Sequence, residues 1–348
     1  MKKFFALVLA LVMVLGLVAC GGGEAEGGAE GGESSGEAVI KIGGIGPLTG
    51  SAATYGIATK NGAQIAVDEI NAAGGINGYQ VEFKFEDDVA DGETAVNAYN
   101  TLMDWGMQAL VGTVTSGACI SVSSKVYEDR VFALTPSASS TDVTAGKDNM
   151  FQLCFADPNQ GSGSATYMSA NMADAKIAVI YRNDDAYSQG IRDTFVTEAA
   201  SLGLEVVYEG TFKGEESDFN VQLADAQSAG ADLLFLPIYA QEAAYIITQA
   251  DKAGLDVTFF GCDGLDGILE KIGSDNLPLA EGVMLLTPFA ADSETEPTKS
   301  FTANYKAKYG STPDQFAADA YDAVYALVAA FEKAGVTPED EGFNQAMI

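Results

Sequence analysis

MQALVGTVTSGACISVSS, Met107 to Ser124, is the stretch on which the reading of the fold turns. Residues Ala109 to Val114 are mostly apolar, Gly112 interrupts them, and Ser116 and Gly117 stand where a helix would begin. A buried strand that runs through a small-residue turn into a helix is the repeating unit of a parallel α/β sheet. The junction also suits an anion. The first backbone N–H groups of a helix have no internal partner and carry the positive end of its dipole, so the Ser116 hydroxyl and those amides fit a carboxylate or phosphate. Ser116 fits a plain N-cap as well, and the other segments have to decide between the two.

Outward from this stretch the same alternation repeats. Strands are expected at Val39 to Ile45, Tyr79 to Glu86, Gln108 to Val114 and Val131 to Thr135. Between them Tyr55 to Ala73, Gly92 to Trp105 and Gly117 to Tyr127 carry apolar residues at helical spacing; Ile57, Ile65, Ala66, Ile70 and Ala73 share one face of the first. A second series starts after Ala156-Asp157-Pro158-Asn159, with strands at Lys176 to Tyr181, Glu205 to Gly210, Asp232 to Leu236, Val257 to Phe260 and Gly282 to Leu286. Its helices are Gly190 to Leu202, Phe219 to Ala229 and Gln241 to Gly254. After Thr287-Pro288 come two helices, Thr298 to Tyr309 and Asp314 to Ala334, with nothing in them to start a third sheet. The fold class is therefore α/β: two similar doubly wound parallel-sheet lobes joined by a hinge. Residues 39–157 and 288–348 are assigned to an N-terminal lobe and 158–287 to a C-terminal lobe. Polar residues that follow strands would face a cleft between the lobes, the usual place for a small ligand; Ser116, Ser137, Ser139, Tyr187, Tyr239 and Asp263 are such residues.

The N-terminus has a different character. Lys2 and Lys3 precede an apolar run from Phe4 to Val18 that ends Leu17-Val18-Ala19-Cys20, a secretory signal too short for the roughly 20 residues of a membrane span. Cysteine directly after Leu-Val-Ala resembles the lipobox of bacterial lipoproteins, in which the thiol is acylated. Gly21 to Ala38, with five glutamates and no large apolar residue, cannot bury enough surface to offset its chain entropy and reads as a flexible tether. A lipid on Cys20 and a globular body beyond the tether are the simplest use of this arrangement, the multiple acyl chains of lipoprotein processing giving a stable anchor.

Composition bounds the chemistry. Among 348 residues, 18 Lys and Arg face 49 Asp and Glu, a net charge of −31, so nucleic acid is not an expected partner. There is no histidine, which removes Ser-His-Asp and Cys-His catalysis and the common zinc sites together. Besides Cys20 the cysteines are Cys119, Cys154 and Cys262, without CxxC spacing; one disulfide or three free thiols fit equally. Gly43, Gly44, Gly46 and Gly50 in GGIGPLTG match neither GxGxxG nor a phosphate-binding loop, and no cofactor or metal is called for.

Several segments carry a resemblance: IKIGGIGPLTGSAATYG (Ile40 to Gly56), GAQIAVDEINAAGGING (Gly62 to Gly78), FEDD (Phe85 to Asp88), LTPSASS (Leu134 to Ser140), YRNDDAYSQG (Tyr181 to Gly190) and FFGCDG (Phe259 to Gly264). In order and spacing the chain from Val39 to about Ala330 resembles the branched-chain amino acid binding proteins, the Leu/Ile/Val-type receptors of ABC importers with the type I periplasmic-binding fold. The resemblance implies that Ser116 holds the ligand carboxylate, that Ser137 and Ser139 complete the grip through backbone and hydroxyl, and that Asp263 accepts from the ammonium group. Tyr55, Tyr187, Tyr239 and Phe316 would line the side-chain end. The residue types suit this: hydroxyls and helix-end amides for a carboxylate, one anion for an ammonium, tyrosines for an apolar wall with polar tips.

There are departures. The family usually has glutamate at position 263, and aspartate draws the anion back by about one methylene, so that water or a different ligand would fill the gap. A cysteine pair found in many relatives is replaced by Ala90 and Thr115, and the chain stops at Asn344-Gln345-Ala346-Met347-Ile348 before further strands that the family has, which suggests a truncated record and an open edge on the second sheet. The expected function is that of a monomeric extracytoplasmic receptor, anchored through Cys20, that delivers a free amino acid, branched-chain or otherwise aliphatic, to the permease of an ABC importer. An amide, urea or aromatic amino acid is the alternative ligand. A histidine-free carboxylate hydrolase and a sensor domain are the rivals from other classes.

Overall fold

The computed structural model describes residues 38–348 other than 215 and 341; the expected signal peptide, Cys20 and all of the tether but Ala38 lie outside the described residues. The strands are β1 (Val39–Gly46), β2 (Gln80–Asp87), β3 (Ala109–Gly112), β4 (Phe132–Thr135), β5 (Met150–Gln152), β6 (Lys176–Arg182), β7 (Glu205–Phe212), β8 (Leu233–Leu236), β9 (Thr258–Gly261) and β10 (Met284–Leu285). The helices are α1 (Ala53–Ala72), α2 (Gly92–Trp105), α3 (Ser116–Glu128), α4 (Asp157–Asn171), α5 (Ala186–Leu202), α6 (Asn220–Ser228), α7 (Ala240–Lys252), α8 (Ile268–Lys271), α9 (Thr298–Tyr309), α10 (Gln315–Ala334) and α11 (Phe343–Met347).

Two five-stranded parallel sheets result, ordered β2-β1-β3-β4-β5 and β10-β9-β8-β6-β7. The central strands are covered on both faces, which is why they read as unbroken apolar runs: Ala-Leu-Val-Gly in β3 and Leu-Leu-Phe-Leu in β8 are buried throughout. The edge strands β2 and β7 are largely half-buried instead and keep exposed glutamates. In the first sheet β1 sits between β2 and β3, pairing Ile42 with Ala109 and Ile45 with Gly112; in the second β6 sits between β7 and β8, pairing Ile177 with Leu233. At both places the chain leaves to opposite sides of the sheet, so a crevice opens beyond the carboxyl ends of β1 and β3, and of β6 and β8.

The two late helices join the first sheet's layer. Helix α10 runs along α1 closely enough that a side chain at Gly62 has no room: a Cβ there would lie 1.9 Å from the Ala317 carbonyl oxygen. Packing on this seam brings Phe316, at the start of α10, against Tyr55, at the start of α1.

Four elements escape the periodicity reading: the short helices α8 and α11, and β5 and α4. Strand β5 has three residues, of which only Met150 is buried, and α4 is written Asp-Pro-Asn-Gln-Gly-Ser-Gly-Ser-Ala-Thr-Tyr-Met-Ser-Ala-Asn, poor in helix formers and with a buried stripe made mainly of small and polar side chains. Packing against α5 holds it helical where propensity does not. The expected strand from Gly282 to Leu286 shortens to β10, since only Met284 and Leu285 pair with β9. Cys119, Cys154 and Cys262 are free thiols. Among the described residues no helix is long and apolar enough to cross a membrane.

Candidate functional site

All eight ligand-binding residues expected from the sequence, Tyr55, Ser116, Ser137, Ser139, Tyr187, Tyr239, Asp263 and Phe316, line one tightly closed cavity of about 10 Å³, together with Val114, Thr115 and Gly264. The first sheet's loops supply the serines and the second sheet's loops supply Tyr187, Tyr239 and Asp263. Among the described residues no lysine or arginine is in the lining.

The serine side is built by cross-bracing of the loops after β3 and β4. Thr135 Oγ1 donates to the Thr113 carbonyl (2.6 Å) and accepts from the N–H groups of Ser137 (3.3 Å) and Ala138 (2.9 Å), while Ser137 Oγ donates to the Val114 carbonyl (3.0 Å). Ser116 Oγ accepts from the N–H groups of Ser139 (3.1 Å) and Ser140 (3.2 Å). Two readings change as a result. Thr115, not Ser116, occupies the N-cap of α3, and Ser116 lies in its first turn. The backbone amides of Ser137 and Ser139 serve the fold, so what this loop offers the cavity is hydroxyl. The Ser116 hydroxyl proton is used by neither of its two bonds, and it sits at the positive end of α3.

The opposite wall is organised by tyrosines. Tyr187 Oη donates to Asp263 Oδ1 (2.7 Å) and accepts from the Gly264 N–H (2.9 Å), and the same Oδ1 accepts from Gly264 N–H (2.8 Å). Gln160 and Gln315 brace the backbone of Asp263: its N–H donates to Gln160 Oε1 (3.1 Å) and its carbonyl accepts from Gln315 Nε2 (3.1 Å). Asp263 is not an N-cap; Cys262 holds that position in the 3₁₀ turn Asp263–Leu265. Burial pushes the Asp263 carboxyl up to about 6, against the hydrogen bonds from Tyr187 and Gly264 that favour its charge. At neutral pH it is mainly an anion with no cation in the cavity wall, which is the arrangement that admits a cationic group.

Tyr55 ties the two walls together. From α1 of the first lobe its hydroxyl donates to the Gly264 carbonyl (2.6 Å) and accepts from the Ala240 N–H (2.8 Å), both in the second lobe. Its ring meets Phe316 edge-on at 4.8 Å and Tyr239 at 5.6 Å, and Tyr239 stacks on Tyr187 at 5.0 Å. Aromatic faces and Val114 thus form an apolar end beside the polar one. A second space of about 120 Å³ shares Thr115 and Tyr239 with this cavity and carries Arg182 and Asp185; Ala90 and Thr115, which replace the cysteine pair of the resemblance, both line it.

The family model for periplasmic binding proteins matches residues 39–348. The chain belongs to that family. Among curated relatives, a Leu/Ile/Val-binding protein homolog of Brucella melitensis is 35% identical over 312 residues, 88% of this chain and 83% of that protein. A leucine-, isoleucine-, valine-, threonine- and alanine-binding protein of Pseudomonas aeruginosa is 32% identical over 300 residues, 85% of this chain and 79% of that one. Of solved structures, a branched-chain amino acid transporter substrate-binding protein of Streptococcus pneumoniae in complex with isoleucine superposes with a TM-score of 0.80 at 32% identity, over 89% of this chain and 88% of that one.

What the sequence did not reveal about this periplasmic binding protein site is its support. Val114 and Gly264 were detectable as immediate neighbours of assigned residues, and Thr115 as a neighbour of Ser116. Gln160 and Gln315 carried no signal, because each lies in a different element from Asp263 and only the fold brings them to it.

Proposed function

We propose that the chain is the extracytoplasmic solute-binding component of an ABC importer and that it captures a free, aliphatic amino acid of the branched-chain type between its two lobes. The observation that carries this is the division of the cavity wall: hydroxyls at a helix N-terminus on one lobe, a buried carboxylate without a cation on the other, and aromatic rings between. Ser116 and Ser139 would meet the ligand carboxylate and ammonium from the first lobe, with Ser137 holding their loop. Asp263 would take the ammonium from the second. Tyr55, Tyr187, Tyr239 and Phe316 would enclose the side chain.

Ligand favours a closed form only through contacts to both lobes, and this wall supplies them. The Leu/Ile/Val-binding relatives support the ligand class. In this reading residues 39–157 and 288–348 form one lobe and 158–287 the other, the chain binds without turnover, and a monomer suffices because the site is complete within one chain. Cys20 would carry the lipid, with the Gly/Glu tether leading to the body and the permease meeting the closed lobes.

A thermal-shift panel of amino acids, small amides, urea and benzoate tests this. Leucine, isoleucine and valine should raise the midpoint, a ligand at about 100 times its Kd adding about 2.7 kcal/mol. A shift with an amide, urea or benzoate, and none with any amino acid, would overturn the ligand class.

A further inference from the structure

Asp157 is a buried carboxylate that the reading above leaves unused. It is the first residue of α4, on the connection between the sheets, and is 1% exposed. Its backbone N–H donates to the Ser139 carbonyl at 2.9 Å, which pins it to the loop that lines the cavity. Among the described residues neither of its carboxylate oxygens has a hydrogen bond, and neither has the buried Ser139 hydroxyl. The space for the carboxylate is made by Gly190 on α5: a Cβ there would lie 2.8 Å from Asp157 Oδ2 and 3.2 Å from its Cβ. Two unsatisfied buried groups on either side of one backbone hydrogen bond cost free energy in the empty protein, and such a pair calls for a partner.

Burial pushes the Asp157 carboxyl up to about 8, and the Ser139 hydroxyl is the neighbour that eases it. The charged groups acting on it most strongly are all anions: Asp263 from the turn after β9, Asp185 from the N-cap of α5, and Asp142 from the short 3₁₀ turn after β4. At neutral pH the empty site therefore holds Asp157 as the neutral acid. A ligand ammonium beside Ser139 is the missing cation.

We propose that Asp157 is a positioning residue for ligand capture: its carboxylate accepts the Ser139 O–H, turning a Ser139 lone pair toward the ligand ammonium, and it releases its proton to solvent as the ligand binds. This rests on the amino-acid reading above. Asp157 touches Ser139 and not the ligand, so its effect appears as proton linkage.

Calorimetry of L-isoleucine binding in two buffers of different ionisation enthalpy tests the proposal. Wild type at pH 7.4 should release close to one proton per ligand, and its affinity should rise roughly tenfold between pH 6.5 and pH 8. Asp263 titrates lower, near 6, and contributes little above pH 7. Asp157→Asn keeps the shape; it should abolish the proton release, flatten the pH profile and bind roughly tenfold more weakly at pH 8. In a Ser139→Ala background Asp157→Asn should add little further loss. Wild-type binding without proton release, or an Asp157→Asn variant with the wild-type pH profile, would overturn the proposal alone. Failure of wild type to bind any amino acid would overturn the functional reading and the proposal with it. Asp319 is the other carboxyl raised to about 8, so if Asp157→Asn does not fold, Asp319→Asn decides: proton release should persist in it, and its loss there would overturn the proposal.

Discussion

At the scale of the residue, the site depends on where single polar groups stand relative to a strand end. Ser116, Ser137, Ser139, Tyr187, Tyr239 and Asp263 were legible because each follows an apolar run, and in a parallel sheet that position is the ligand edge. Their hydrogen bonds were not legible. Ser116 fitted both the carboxylate-binding and N-cap roles, and only the approach of the Ser139 and Ser140 amides to its Oγ shows that it braces a neighbouring loop while its proton is used by neither bond. Asp157 was hidden for a related reason: its sequence context, Ala-Asp-Pro-Asn, reads as a turn. The most exposed prediction at this scale concerns Asp263. Replacing it with alanine removes the only acidic residue that lines the cavity among the described residues and leaves a ligand ammonium buried without its charged partner, so calorimetry should show affinity weakened by about 2 kcal/mol or more. Unchanged affinity would remove Asp263 from the site.

At the scale of the element, the alternation of strand and helix was readable wherever burial on both faces imposes an unbroken apolar strand, as in β3 and β8. It failed where tertiary packing overrides propensity. Helix α4 lies against α5 despite its glycines and serines, and β5 is held by pairing to β4 through three residues. The seam between α1 and α10 was invisible too, since the two helices are far apart in the chain and Gly62 looks like any helical glycine. That seam leads to a second prediction. Gly62→Ala places a methyl group where the Ala317 carbonyl stands, forcing the helices apart at a cost of about 2 kcal/mol. Phe316 adjoins Ala317 and packs on Tyr55, so the variant should both melt earlier and bind ligand more weakly. A variant with wild-type melting would show that the seam has slack.

At the scale of the whole molecule, the interior is acidic. Burial raises Asp88 and Asp263 to about 6, Asp314 to about 7, and Asp157 and Asp319 to about 8. Unfolded aspartate titrates near about 3.9, so between that value and about 8 the native state binds protons that the unfolded chain has released. The slope of stability with pH is then negative, and the empty protein should lose stability as pH rises from 5 to 8. The net charge of −31 adds self-repulsion in the same direction. Asp91 and Asp148 act oppositely. A backbone hydrogen bond from Thr94 and the Arg130 guanidinium hold them below the usual range, and that stabilisation is lost as pH falls below about 3.9. Urea midpoints should therefore be highest in mild acid; a midpoint that rises steadily to pH 8 would contradict the buried-carboxylate account. Saturating ligand should narrow the gap between pH 5 and pH 8, because its ammonium supplies the charge the interior lacks.

The account as a whole requires a zwitterion held at one end by the hydroxyls of the first lobe and at the other by the carboxylate of the second. Titrating the protein in a calorimeter with L-isoleucine, N-acetyl-L-isoleucine and L-isoleucinamide measures the two grips separately. The free amino acid should bind, and both analogues, each lacking one charge, should bind at least roughly tenfold more weakly. Equal affinity for either analogue would contradict the two-ended grip.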